Sequence, residues 1–430
     1  MQITYVCGNK EGATMKVLML GWEFPPFFAG GIGIVCYELT KALAQNNDLE
    51  VTYIMPFGPR NANPGFLKQL ITAENMVPKV KVHTVKTTMH AYMGPEEYLS
   101  QQEIPMLESK DSSGDNKSLY GKTLMQEVHN FAHRAMTIAD FQEFDVIHCH
   151  DWMTIPAAVG IKQQTGKPLI VHVHNTIYDR YLNGSNQVEF DIEKRGIEEA
   201  DTVVCVSNYV RQRLIDCYQP SNPDKVIVVH NAAQKLSSKT HTPPRIAEND
   251  KIVLFAGRIT AQKGPEYFLH AARLVADHDP NIKFVMAGSG DMLTRMIDLA
   301  AELGLADKVL FPGFYTRDDM EKLFGMADVF VMPSVSEPFG IVPLEAMAKS
   351  KPTIISNQSG VSEVLTHVLK VDFWDTEEMA EKILAVLYYE ELHGMLSKHG
   401  NYEVNQLTWD KTAKKMKQVY YQTAQVQVIQ

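Results

Sequence analysis

The sequence predicts an α/β protein made of two Rossmann-like halves that face a cleft. Three observations lead there. Short apolar runs alternate with helical patterns over nearly the whole chain, as parallel sheets covered by helices require. The 430 residues exceed what one ordinary core organises, so two domains of about 200 residues each are expected. A polar, proline-bearing stretch, LSSKTHTPPRIAEND at 236–250, interrupts the alternation near the middle of the chain.

Taken in order, residues 1–14 read as a disordered extension before a true first strand at MKVLMLGW. The first domain, 15–240, then carries strands at KVLMLGW, EVTYIMP, KVKVHTV, DVIHCHD, LIVHVHN, TVVCVS and VIVVHN. A helix is expected to start near Ile32, just after the glycine pair that ends at Gly31. Between Pro105 and Lys122 the chain is polar and aperiodic, which reads as a mobile surface loop. The second domain, 250–405, restarts the pattern with KIVLFAGR, IKFVMAGSG, KVLFPGF, VFVMPS and PTIISN. In the closing segment, 406–430, Trp409, Ala413, Met416 and Tyr420 recur on one helical face.

Composition narrows the function classes. Hydrophobic content of 45% and charged content of 21% are those of a globular protein. No apolar run approaches the roughly 18 residues that a membrane span needs, so no stable membrane insertion is expected. The opening residues lack the basic flank and apolar block of a signal peptide, and the cysteines show no disulfide-like framework, so a cytoplasmic location is expected. A net charge of −10 with no basic stripe argues against a nucleic-acid partner. The five cysteines have no metal-ligand spacing.

Chemistry concentrates where strands end, since ligands in open α/β sheets gather at the carboxyl ends of strands. In PSVSEPFGIVPLEAMAKSKP, Pro343 suits the start of a helix and Lys351-Pro352 its end. Gly340, Ile341 and Val342 then sit at the helix mouth, where free N–H groups favour an anion. Glu345 falls in the first turn, where it also complements the helix dipole, and Glu337 precedes the helix. In GRITAQKG, Arg258 and Lys263 are two cations with no nearby acid, suited to a diphosphate or to an ordinary solvated loop. Strand alternation points His148 and His150 one way, and His172 and His174 likewise. Asp151 and His174, at the tips, are placed to meet substrate, while His148 and His172 read as structural. Hydrogen bonding to a polar ligand outranks a metal here, and no metal site is expected. Gly31 lies in a glycine-lined loop that fits neither a dinucleotide fingerprint nor a Walker A pattern.

These motifs resemble the retaining glycosyltransferases of GT-B fold, family 4, and their glycogen and starch synthase relatives. The resemblance runs from Met15 to the final helix. Its most specific part is Glu337-x7-Glu345 within SEPFGIVPLEAMA, supported by GRITAQKG, AGSGD, FPGF, HDW, VHN and VSNY. It implies a GT-B architecture with a deep interdomain cleft and a C-terminal helix returning to the N-terminal domain. It also implies a nucleotide-sugar donor, ADP-glucose or UDP-glucose, with no cofactor or catalytic metal required. The implied acceptor is an oligosaccharide or glucan, with an α-1,4-glucan leading. By the same resemblance, Glu337 contacts the transferred sugar and Glu345 the ribose. The amides of Gly340, Ile341 and Val342 cradle the diphosphate, with Arg258 and Lys263 neutralising it and Gly31 approaching from across the cleft. Gly313 and Phe314 border the base, and His174 and Asp151 line the sugar and acceptor side. Asn231 matches a family asparagine. Two departures bear on the sugar: Phe28 and Ala29 stand where bacterial glycogen synthases carry a lysine near the paired glycines, and NAAQ replaces the usual Asn-Gly-Val-Asp. Mannosyltransferases and sucrose-type synthases share the donor motifs and stay open, as does a non-catalytic glycan-binding module.

Overall fold

Strands buried on both faces have no polar side to show, so they read as continuous apolar runs and pair in parallel beneath helices. The computed structural model describes residues 14–25, 31–46, 48–57, 64–73, 116–182, 184–234 and 251–426. Its first sheet has strands β1 (Met15–Leu20), β2 (Leu49–Met55), β3 (Gln69–Thr72), β4 (Val146–His150), β5 (Leu169–Val173), β6 (Thr202–Cys205) and β7 (Val226–Val228). They lie in the order β3-β2-β1-β4-β5-β6-β7, with parallel pairing throughout.

A second sheet has β8 (Ile252–Ala256), β9 (Lys283–Ala287), β10 (Val309–Gly313), β11 (Val329–Met332), β12 (Thr353–Ser356) and β13 (Leu369–Val371). Its order, β10-β9-β8-β11-β12-β13, is again parallel. In each sheet the strand order therefore reverses once, between β1 and β4 and between β8 and β11. The carboxyl ends at such reversals are where doubly wound sheets leave room for a ligand. The expected α/β class with two Rossmann-like sheets is what the chain adopts.

The final helix, Trp409–Val426, buries the four residues spaced along its apolar face: Trp409, Ala413, Met416 and Tyr420. They join a core with Val17, Met19, Val51 and Tyr53 of the first sheet and with Val35 and Leu39 of the helix Gly31–Leu43. The chain thus returns from the second sheet to close the first, as expected of the C-terminal helix. Lys417 reinforces the return with a 2.7 Å bond to Asp48.

Some expectations change. The predicted loop 105–122 ends early, because residues from Asn116 onward are the start of a helix, Asn116–Ala139. The buried Val128, Phe131, Ala132 and Ala135 along that helix supply the packing that its polar beginning does not announce. The helix expected near Ile32 begins one residue earlier, at Gly31. The helix after Glu337 begins at Val342, which puts Pro343 at its second position. Strands β3 and β13 were not predicted. The strand expected at KVKVHTV, residues 1–13 of the expected extension, and the linker 236–250 lie outside the described residues.

Candidate functional site

The loops after β8 and β11, on either side of the reversal in the second sheet, bring the predicted donor residues together. Lys263 closes a short 3-10 turn, Ala261–Lys263, and its ammonium is paired with the Glu337 carboxylate. Gly264 makes this juxtaposition possible. It has φ 63°, and a Cβ there would stand 2.1 Å from the Pro333 carbonyl oxygen, so a side chain would force the two loops apart. Arg258 donates from Nη2 to Gln262 Oε1 at 3.1 Å. Gln262 is buried, and its own carbonyl accepts from Val335 at 2.9 Å, which ties the cation-bearing loop to the glutamate-bearing loop. Ser334 Oγ donates to Glu337 at 3.4 Å.

Glu345 is buried in the first turn of the helix Val342–Ala348. Tyr315 lies close to it: burial first, then the Glu345 charge, pushes the phenol well above its usual range. Since Tyr315 follows Gly313 and Phe314, the FPGF segment and Glu345 border one region. Phe314 is 72% exposed there and stacks against Tyr315. Gly340, with φ 102°, turns the chain into the helix, and Ile341 caps it without a side-chain hydrogen bond. The first-turn N–H groups of a helix have no intrahelical acceptor.

On the first sheet, His148 and His150 of β4 meet His172 of β5 and His174 just beyond it in one buried stack. His148 Nε2 and His172 Nδ1 are 3.2 Å apart, and His150 Nδ1 and His174 Nε2 are 2.8 Å apart. His148 Nδ1 reaches the Tyr420 hydroxyl of the returning helix at 2.8 Å. Burial pushes His148 and His174 down to about 3, and His150 and His172 well below the usual range, so all four rings are neutral at pH 7. Three of them, His148, His150 and His172, also offer nitrogens within 4.8 Å of one another, a spacing that metal ligands use. Sequence spacing had separated two structural rings from one substrate-facing ring, but the four share one network.

Asp151 takes φ 57°, a left-handed conformation that aspartate tolerates, and its Oδ1 accepts from the amides of His174 (2.7 Å) and Asn175 (3.3 Å). Its Oδ2 and His174 Nδ1 are buried polar atoms without a hydrogen-bond partner. Burial pushes the Asp151 carboxyl up to about 7. Gly31 opens its helix from an exposed position, with nothing among the described residues within 4 Å of where a Cβ would be. Asn231 is buried where the chain leaves the first sheet. Its neighbours are tied to the C-terminal segment, His230 O by Thr412 Oγ at 3.0 Å and Ala233 N to Leu407 O at 3.0 Å. It belongs to the segment where the chain crosses between the two halves.

Sequence reasoning missed the residues that hold Glu337 from the opposite domain. Ser336 Oγ donates to the buried Asp179 at 2.5 Å, and Arg213 pairs with that same carboxylate and donates to Ser336 Oγ at 2.8 Å. Ser207 Oγ donates to Pro338 O at 2.6 Å. Both neighbours of Glu337 are therefore fastened to the first domain. Glu363 adds a clasp, accepting from the amides of Asn208 (2.8 Å) and Tyr209 (2.7 Å) and bonding His230 at 3.0 Å. Asn208 and Tyr209 belong to the VSNY motif, but nothing local in the sequence announces their acidic partner, 155 residues from Asn208.

Two parallel Rossmann sheets with facing reversals, joined at their strand ends and closed by a returning helix, define the GT-B class. The chain has that fold, and both of its halves are similar in sequence to glycosyltransferases, the glycogen and starch synthases among them. Residues 16–228 match the family described as "Starch synthase catalytic domain", and 237–401 match "Glycosyl transferases group 1". An uncharacterized glycosyltransferase of Methanocaldococcus jannaschii is 29% identical, over 94% of this chain and 98% of its own. A D-inositol 3-phosphate glycosyltransferase of Salinispora tropica is 26% identical, over 91% and 81%. A glycogen synthase of Mycobacterium tuberculosis is 24% identical, over 82% and 80%. Among solved structures, sucrose-phosphate synthase from Thermosynechococcus elongatus superposes with a TM-score of 0.69 at 20% identity, covering 95% of this chain and 98% of that one. The Anabaena protein HepE, in complex with UDP and glucose, gives 0.64 at 15%, covering 95% and 100%.

Proposed function

We propose that the chain moves a hexose, glucose, from UDP-glucose or ADP-glucose to a glycan acceptor, an α-1,4-glucan, with retention of anomeric configuration. The observation that carries this reading is the Lys263–Glu337 pair beside Arg258, built at the reversal of the second sheet. At rest the lysine neutralises the glutamate. An arriving diphosphate offers Lys263 a more highly charged partner and frees Glu337 to accept from sugar hydroxyls. Arg258 and Lys263 then hold the charge that grows on the leaving nucleoside diphosphate, the kind of fixed electrostatic help that is worth several kcal/mol in a dry site.

In this account the second domain, 250–405, is the donor domain, the first, 15–240, the acceptor domain, and 406–430 the closing helix. Glu345 accepts from the ribose, Gly313 and Phe314 border the base, and the amides from Gly340 to Val342 face the phosphates. Gly31 approaches them from across the cleft. His174 Nδ1 and Asp151 Oδ2, unpartnered at rest, bond the sugar or the acceptor hydroxyl. The acceptor oxygen attacks the face from which the diphosphate departs, and the departing phosphate takes the proton, so no carboxylate base or metal is required. No helix among the described residues is long and apolar enough to cross a membrane.

The UDP and glucose bound by the HepE neighbour support a uridine donor, and the glycogen synthase relative supports a glucan acceptor. A second reading, a small phosphorylated acceptor, is favoured by the D-inositol 3-phosphate glycosyltransferase relative. A panel of UDP-, ADP- and GDP-sugars, each offered with glycogen, maltoheptaose, inositol 3-phosphate or fructose 6-phosphate, separates them by acceptor-dependent nucleotide release. Release with the small phosphates alone would replace the glucan reading.

A further inference from the structure

Of the chain's four tryptophans, Trp22, Trp152 and Trp409 are buried, while Trp374 is 57% exposed. It lies at the carboxyl end of β13, the same end of the second sheet that carries Lys263 and Glu337. The ring is held in place. Phe373 meets it edge-on, with centroids 4.8 Å apart at 85°, and Tyr267 meets Phe373 at 5.0 Å and 69°. Tyr267 stands in the first turn of the helix Pro265–His278, three residues after Gly264. Behind Trp374, Asp375 caps the helix Thr376–Tyr388 by accepting from Glu378 N at 2.9 Å. The tryptophan is therefore a fixed surface feature.

Polar groups converge beside it. Asp372 Oδ1 accepts from Asn357 Nδ2 at 3.0 Å and from Gln358 Nε2 at 2.9 Å. Those bonds hold the Asp372 carboxyl below the usual carboxylate range. Gln358 also joins the ledge to the candidate site: its Oε1 accepts from Phe373 N at 3.4 Å, and its carbonyl accepts from Glu337 N at 3.0 Å. Two hydrogen bonds through one residue connect the backbone of the tryptophan loop to that of Glu337.

An exposed, rigid aromatic face with acid and amide groups at its side calls for a ligand that is apolar on one face and hydroxylated at its rim. A pyranose ring has that form: its axial C–H bonds meet the electron-rich indole face, and its equatorial hydroxyls reach groups such as Asp372 and Asn357. We propose that Tyr267, Phe373 and Trp374 form a ledge that binds a sugar unit of the acceptor glycan, remote from the unit being extended. This rests on the glycan-acceptor reading. A rigid indole costs little side-chain entropy on binding, and the ledge's continuity with the Glu337 loop places the captured chain beside the chemistry.

The test uses the full chain with maltoheptaose as probe, comparing the unchanged protein with Trp374→Ala and Trp374→Phe. Exposure of the side chain spares the core, and matched thermal melts check that both variants fold. Trp374→Ala should raise KM for maltoheptaose about tenfold, or about 1.4 kcal/mol, with kcat and the dissociation constant for UDP unchanged. Trp374→Phe should fall between. In the unchanged protein, maltoheptaose should alter tryptophan fluorescence and protect it from acrylamide, and the alanine variant should lose that response. If the unchanged protein extends maltoheptaose and Trp374→Ala does so with the same KM, the ledge is refuted and the glucan reading stands. An equal loss of UDP affinity would also refute it, because the residue would then act on the donor. No transfer to any glycan by the unchanged protein removes both.

Discussion

Replacing Lys263 by alanine separates what the Lys263–Glu337 pair does for stability from what it does for turnover. The side chains are 19% and 9% exposed, so the pair is mostly desolvated. Removing one partner of a buried pair costs about 3–5 kcal/mol, because the other charge stays behind. Here the lysine keeps a fifth of its surface in water and Ser334 still bonds the glutamate, so the loss should sit lower, about 2–3 kcal/mol. Adding Glu337→Gln removes the stranded charge and should restore most of that stability. Turnover should behave differently. Loss of a cation from a diphosphate site costs about 3–4 kcal/mol of transition-state stabilisation, a rate factor of about 10² to 10³. The double variant should stay as inactive as the single one or more so. Urea midpoints give the first quantity and initial rates of nucleotide release the second. Turnover of Lys263→Ala close to that of the unchanged protein, or a stability loss that Glu337→Gln does not recover, would refute the reasoning.

Other expectations follow from the same geometry. Glu345→Gln should weaken UDP binding about fivefold, since hydrogen bonds to a charged acceptor exceed neutral ones by about 1 kcal/mol. Glu337→Gln should scarcely change UDP binding and should instead lose turnover; equal calorimetric losses in the two variants would contradict the separate roles. Activity should survive exhaustive chelation, because Arg258 and Lys263 supply the positive charge; a complete loss restored by one divalent metal would overturn this. Burial raises the Asp151 pKa from 3.8 to about 7, so across that window the folded chain holds a proton that the unfolded chain has released. Stability should fall as pH rises through the window and level off above it, and Asp151→Asn should flatten the slope. Denaturant midpoints at pH 5 and pH 8 measure the difference, and an unchanged difference in the variant would contradict it.

Much of the frame was legible because physics writes it locally. Strands such as ILE-VAL-LEU-PHE-ALA of β8 are apolar on both faces, and the spacing of Trp409, Ala413, Met416 and Tyr420 is that of a helix with one buried side. The missed strands are short edges: β3 has four residues with Gln69 among them, and β13 has three with Lys370 at its centre. Neither carries an apolar run long enough to stand out. The helix from Asn116 begins in polar sequence and is held by packing further along. Within the site, the glutamate pair and the Arg258–Lys263 loop are compact motifs, so their types and spacing could be read directly. The histidine stack depended on register. Each His-x-His pair was visible, but only the pairing of β4 with β5, which sets His150 opposite His172, merges them. The Asp179–Ser336–Arg213 contact joins segments 157 and 123 residues apart, and no sequence periodicity spans such distances.

The most direct measurement of the central claim is the product of a single reaction, UDP-glucose or ADP-glucose with maltoheptaose, followed by proton NMR alongside nucleotide release. The account predicts acceptor-dependent release of the nucleoside diphosphate, matched one for one by a new α-linked glucose, in the presence of a chelator. A β-linked product from the α-configured donor would contradict retention, and no acceptor-dependent release from any sugar nucleotide would contradict the assignment of the Lys263–Glu337 site to the donor.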